Sequence, residues 1–165
     1  MEDIINRLKD LARQIPNVPC VYQLELPTFG DGTAETQIRM LESQLTASLP
    51  PDFIFFQQRC GCISAMDIWN GYALFDASHI LALMNDRNSP ISIRLTEAQH
   101  IVPIGGDGGG NLFVMSLDEK QVFKLNHETG ELKVLANAFA DFLQRMCHDW
   151  EHFLAGDDKW EYMSG

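Results

Sequence analysis

Residues 100–131 read HIVPIGGDGGGNLFVMSLDEKQVFKLNHETGE, and the fold is decided by how this stretch is understood. Five of the chain's twelve glycines lie within residues 105–110, interrupted only by Asp107. An apolar lead, Ile101-Val102-Pro103-Ile104, runs into them. Two β-like runs leave them, residues 112–117 and 121–126, joined by Asp118-Glu119-Lys120, and residues 127–130 turn into a third run containing Leu132 and Val134. A glycine loop between strands can cradle phosphate, bind calcium or simply turn tightly. A P-loop requires Lys-Ser/Thr after its last glycine, whereas Gly110 precedes Asn111-Leu112. A dinucleotide loop opens a helix whose N-terminus receives pyrophosphate; these glycines open a strand, and Asp107 would repel the anion. An EF-hand loop needs several acidic ligands, and only Asp107 is present. What remains is an irregular turn that needs positive φ and close backbone approach.

Outward from this centre the chain alternates helix and strand. Ile4, Ile5, Leu8, Leu11 and Ala12 form one stripe of a helix over residues 3–14, ended by Pro16 and Pro19. Cys20, Tyr22, Leu24 and Leu26 alternate with Val21, Gln23 and Glu25, which predicts a half-buried strand. Residues 27–32 read as loop. Thr33 is placed to cap a helix over residues 34–47 with Ile38, Leu41 and Leu45 inward. Leu49-Pro50-Pro51-Asp52 stops it and starts a short helix carrying Phe53, Phe55 and Phe56, which Cys60-Gly61-Cys62 closes. Asn70-Gly71 predicts a tight turn between strand-like pieces. Asp76 caps a brief helix with Ile80, Leu83 and Met84, residues 85–90 form a loop, and Ile91, Ile93 and Leu95 mark another strand. A last helix over residues 137–154 spaces Phe139, Phe142, Leu143, Met146, Trp150, Phe153 and Leu154, and an acidic tail, residues 156–165, follows.

At 165 residues the chain suits one domain. Its net charge of −11 argues against direct binding to nucleic acid or to an anionic membrane and suits a basic partner. No apolar run approaches the ~20 residues that cross a membrane, and the charged N-terminal stretch lacks the pattern of a secretory signal. Cys20, Cys60, Cys62 and Cys147 are therefore expected as reduced thiols of a cytoplasmic protein.

No catalytic, cofactor-binding or metal constellation rises above background. His148 and His152 share a helix face, but HDWEH lacks the glutamate that follows the first histidine of a zinc protease helix. His79, His100 and His127 have no nucleophile motif beside them. Trp69 and Tyr72 flank a turn as candidate binding aromatics, and Asp107, Asn111 and Glu128 are candidate polar contacts.

Three blocks in order complete the reading. Leu49-Pro50-Pro51-Asp52-Phe53 follows a helix containing Glu42, residues 101–117 carry the glycine block, and residues 122–143 carry VFKLNHE followed by ANAFADFL. This succession resembles the SUKH superfamily, shared by bacterial toxin-immunity proteins and eukaryotic regulators of cell-wall assembly, over about residues 35–145. The chain departs from it where Arg59-Cys60-Gly61-Cys62 replaces the usual Asn-Gly-Gly turn, and residues 1–27 lie outside the blocks. The resemblance implies a single α+β domain, a mainly antiparallel β-sheet with helices packed against it. It implies a binding module without enzymatic activity or cofactor, whose partner would be a cognate protein toxin domain, such as a basic nuclease. A regulatory or scaffold domain with a peptide or small-molecule groove near the glycine loop, and a metal-dependent hydrolase using His148 and His152, are the alternatives.

Overall fold

A computed structural model describes residues 1–17, 24–45, 47–86 and 101–165. Their strands form one sheet in sequence order: β1 (Thr28–Phe29), β2 (Ile63–Ala65), β3 (Tyr72–Leu74), β4 (Ile101–Gly106), β5 (Leu112–Ser116), β6 (Val122–Leu125) and β7 (Leu132–Ala136). Every neighbouring pair is antiparallel. The described helices are α1 (Glu2–Ala12), α2 (Glu35–Leu45), α3 (Pro51–Arg59), α4 (Ala77–Asn85) and α5 (Phe139–Ala155). This is the α+β arrangement that the sequence implies.

The core is aromatic where α5 meets α3 and the sheet. Phe139 sits edge-on to Phe53, centroids 5.0 Å apart, and Phe142 meets Phe113 of β5 at 5.3 Å. All four are buried, each contributing on the order of 1.5–3 kcal/mol of transfer free energy. Helix α1 lies along α5 with Ile5, Leu8 and Leu11 inward, and Arg7 reaches Glu151 at 2.5 Å. The hydrogen bond to Glu151 is the main cause that raises the pKa of Arg7.

Polar side chains fix the order of these pieces. Ala138 occupies the N-cap of α5 and has no side-chain acceptor to offer. Asp52 supplies one from α3: its Oδ2 accepts from Ala140 N at 2.8 Å while Oδ1 accepts from Phe53 N at 2.9 Å. Glu42 Oε1 accepts from Leu49 N at 3.0 Å, which holds the turn into the double proline. Gln57 is fully buried, and its amide is satisfied on both sides. It donates to Phe75 O and Gly61 O and accepts from Ala77 N and the Thr33 hydroxyl.

Several expectations shift. Thr33 does not cap α2, which begins at Glu35; its hydroxyl goes to Gln57 instead. Residues 18–23 and 87–100 lie outside the described residues, and with them most of the strand expected at Cys20 and the one expected at Ile91. Leu24 to Pro27 are not strand. The first edge strand is β1, inside the expected loop, because Phe29 pairs with Ile63 and packs edge-on to Trp150 at 6.3 Å. Gly105 and Gly106 belong to β4 rather than to a loop. A Cβ at Gly105 would stand 2.2 Å from Ala73 O, so only glycine lets β3 approach there. Pro103 is tolerated in β4 because β3 pairs only with Gly105 and Gly106, leaving an edge-like position beside the bulge. The turn expected at Asn70-Gly71 is present between β2 and β3, as the connection over residues 66–71, where Gly71 N donates to Ile68 O at 2.9 Å and Trp69 stands at φ +53°.

Asp52→Ala is expected to destabilise the protein by about 1 kcal/mol through the lost cap of α5, read as a lower urea midpoint with unchanged slope.

Candidate functional site

The glycine turn is built around an anion of its own. Asp107 Oδ1 accepts from Gly109 N at 3.0 Å and Asn111 N at 2.9 Å, and Oδ2 accepts from Asn111 Nδ2 at 2.9 Å. Lys124 Nζ of β6 stands 3.1 Å from Oδ2, and the Asp107 side chain has no exposed surface. The backbone N–H groups that a phosphate would need are thus already bound to a carboxylate. Gly108 N donates to Asn70 O at 2.6 Å, and a Cβ at Gly108 would meet that oxygen at the same distance, so the 66–71 turn and the glycine turn are clamped together. Asn111 Oδ1 accepts from His127 N at 3.2 Å, which ties in the turn carrying Glu128.

A second polar centre lies beneath this end of the sheet. Asp149, in the middle of α5, is fully buried. Its carboxylate accepts from the Tyr72 hydroxyl, from Trp160 Nε1 at 2.7 Å and from Met163 N at 2.8 Å. Its backbone oxygen accepts from Trp69 Nε1 at 2.8 Å. Burial first, and then the Asp149 charge, push the Tyr72 phenol far above its ordinary range, so it remains a donor. Residues 157–165, expected as an acidic tail, are in fact strapped over this centre. Tyr162 stacks on Trp69 at 4.6 Å and Trp160 on His152 at 3.7 Å. Ser164 O accepts from Asn70, Gly165 O from Lys124, and Glu161 pairs with Lys133. The signal for this was Trp160 and Tyr162 standing in an otherwise polar run, together with a carboxylate at residue 149 on the apolar face of a helix.

The candidate contacts Trp69, Tyr72, Asp107, Asn111 and Glu128 therefore gather at one end of the sheet, but they are not one surface. Tyr72 and the Asp107 side chain are buried and cannot touch a partner directly. Trp69 is half-buried, sandwiched by Tyr162 and edge-on to Phe153, rather than an exposed anchor. Asn111 is half-exposed, and Glu128 is open to solvent. Beside them runs a groove of about 450 Å³ lined by Asn111, Lys124, Asn126, Glu131, Leu132, Lys133 and Gly165.

Of the two histidines four apart on α5, His152 is engaged with Asp157 at 2.9 Å and with Trp160, while His148 lines a separate shallow pocket with Asp141 and Arg145. Cys60, Cys62 and Cys147 are free thiols. Burial pushes Cys60 up to about 11 and Cys147 up to about 12, so neither is a nucleophile near neutrality.

The model of the SMI1/KNR4 family (SUKH-1) matches residues 32–145, which is more than half of the chain. The chain belongs to the SMI1/KNR4 family. Among curated proteins none matches it. The matched SUKH-1 region opens at the loop before α2 and closes within α5, so it contains α3, the glycine turn and the helix start that Asp52 caps. Both α1 and the strap formed by residues 157–165 lie outside it.

In place of a surface role, Asp107→Lys is expected to remove a buried acceptor and oppose Lys124, costing ~3–5 kcal/mol, seen as a large drop in denaturation midpoint. Asp149→Ala leaves the Tyr72, Trp160 and Met163 donors unpaired and is expected to cost a similar ~3 kcal/mol or more. Its distinguishing readout is faster tryptic cleavage after Lys159 than in wild type, where the strap is expected to slow it.

Proposed function

We propose that this SUKH-1 protein is a non-enzymatic binding module, an immunity protein of a polymorphic toxin system acting in the cytoplasm. Its partner on this reading is a cognate toxin domain with a basic surface, such as a nuclease, which it neutralises by covering that surface. Family membership supports the class of role, since the SUKH superfamily joins immunity proteins and cell-wall-assembly regulators. The observation that carries the choice is where the charge of −11 stands. Among the described residues, Asp149 and the Asp107 side chain are fully buried, and Asp107 takes Lys124 inside with it. Most of the remaining excess, including Glu128 and Glu131, faces solvent and is free to draw in a basic protein. The groove beside Asn111 favours the second reading, a regulatory domain that holds a peptide or small molecule.

Co-expression with the toxin domain encoded beside the gene is expected to restore growth, and the two proteins should co-purify. Their association rate is expected to fall about tenfold or more as salt rises from ~0.05 to ~0.5 M, because screening shortens the reach of the field. Absence of both rescue and co-purification would sink the proposal, and binding of a metabolite or peptide in the groove without any toxin partner would favour the regulatory reading.

A further inference from the structure

β7 is the last strand of the sheet, and no described strand pairs with its outer side. Its Leu132 is 45% exposed and its Val134 50% exposed. Register sets them opposite Leu125 and Phe123 of β6, both half-buried, so an apolar strip occupies one face of this edge. Lys124 and Lys133, also paired across β6 and β7, project to the other face, where the 161–165 strap holds them. The backbone follows the same alternation. Glu131 O accepts from Asn126 N at 2.9 Å and so faces β6; the N–H and C=O groups of Leu132 and Val134 are then turned to the open side.

Edge strands are usually blunted by a free charge, a proline or a bulge. Here the charge within the strand, Lys133, is bound to Glu161 at 3.0 Å, and the bulge falls beyond Val134, opposite the Val122–Phe123 step. The stretch from Leu132 to Val134 keeps its pairing edge. A row of outward N–H and C=O groups is matched by another extended backbone, which makes the occupant a strand. Charge decides whose strand it is. A second copy would bring a further −11 against this one. Carboxylates flank the edge at both ends: Glu128 and Glu131 before β7, and beyond it Glu119 in the turn that Gln121 ties to Asn137 at 3.2 Å.

We propose that β7 receives an extended segment of the toxin as an additional antiparallel or parallel strand. That segment has apolar side chains at alternate positions over Leu132 and Val134, and lysine or arginine at its ends. The inference rests on the immunity reading and names the surface that reading left open.

The probe is the toxin domain encoded beside the gene, with affinity and association rate measured against the full chain. Val134→Pro removes the outward N–H while sparing the ladder to β6, and Leu132→Lys sets a cation into the strip at a site already half in water. Each is expected to weaken binding ~10-fold or more, and Glu131→Lys to slow association severalfold. Leu132→Lys should melt close to wild type, so a folding defect in the proline variant does not decide the matter. In the wild-type complex the amides of Leu132 and Val134 should gain protection from hydrogen exchange. If wild type binds and protects, but Leu132→Lys binds within ~2-fold of it, the inference is overturned and the immunity reading stands. If wild type neither binds nor protects, the immunity reading falls and takes this inference with it. If the protein alone sediments as a dimer that Leu132→Lys dissociates, the occupant is a second copy and the proposal is wrong.

Discussion

Removing a carboxylate from water costs several kcal/mol unless its lone pairs are filled. Asp149 is such a carboxylate, and the arrangement around it is the solution to that constraint. A strand residue, Tyr72, supplies one donor, and two come from the strap, Trp160 and Met163. At roughly 1.5–3 kcal/mol for each bond to a charged group, they offset the burial only when all are present. The sheet, α5 and residues 157–165 are therefore held in one mutual position. The positive φ of Trp69 belongs to the same settlement, since its indole N–H is bound to the Asp149 carbonyl and its ring is stacked on Tyr162. An unfavourable backbone conformation persists where surrounding contacts over-determine it.

Much of the fold was legible because periodicity reports burial directly. The stripe of α1, the run of aromatic residues along α5 and the runs that became β5 and β6 all stand close to where their spacing puts them. Pro50-Pro51 and Asp76 acted as expected at helix starts. What spacing does not carry is partnership across the chain. Nothing near residue 138 announces that α5 is capped by Asp52, and nothing near Thr33 announces that Gln57 takes its hydroxyl. β1 escaped because it is short and its order comes from the β2 strand it joins.

The candidate contacts fared differently for a related reason. An acidic residue among glycines reads as exposed when only its neighbours in sequence are considered. Lys124, seventeen positions along but on the adjacent strand, converts Asp107 into an interior group. Trp69 and Tyr72 likewise belong to the interior, Trp69 stacked on Tyr162 and Tyr72 bonded to the buried Asp149. Of the candidate contacts, Glu128 and in part Asn111 face outward, beside the exposed edge of β7.

The sequential order of the strands bears on how the protein is made. Each strand pairs with the one just before it; β2–β3 and the run from β4 to β7 are joined by short turns and can close locally, whereas β1–β2 and β3–β4 close over intervening helices. The strap cannot join early. It follows every strand and α5 in the chain, yet it brings the donors that Asp149 needs. In any form where the strap is not yet closed, Asp149 is reached by water and the 66–71 turn lacks its contact with Tyr162. Closure of residues 157–165 brings the Trp160 and Met163 donors to Asp149 and so couples the strap to the sheet and α5 as one cooperative unit.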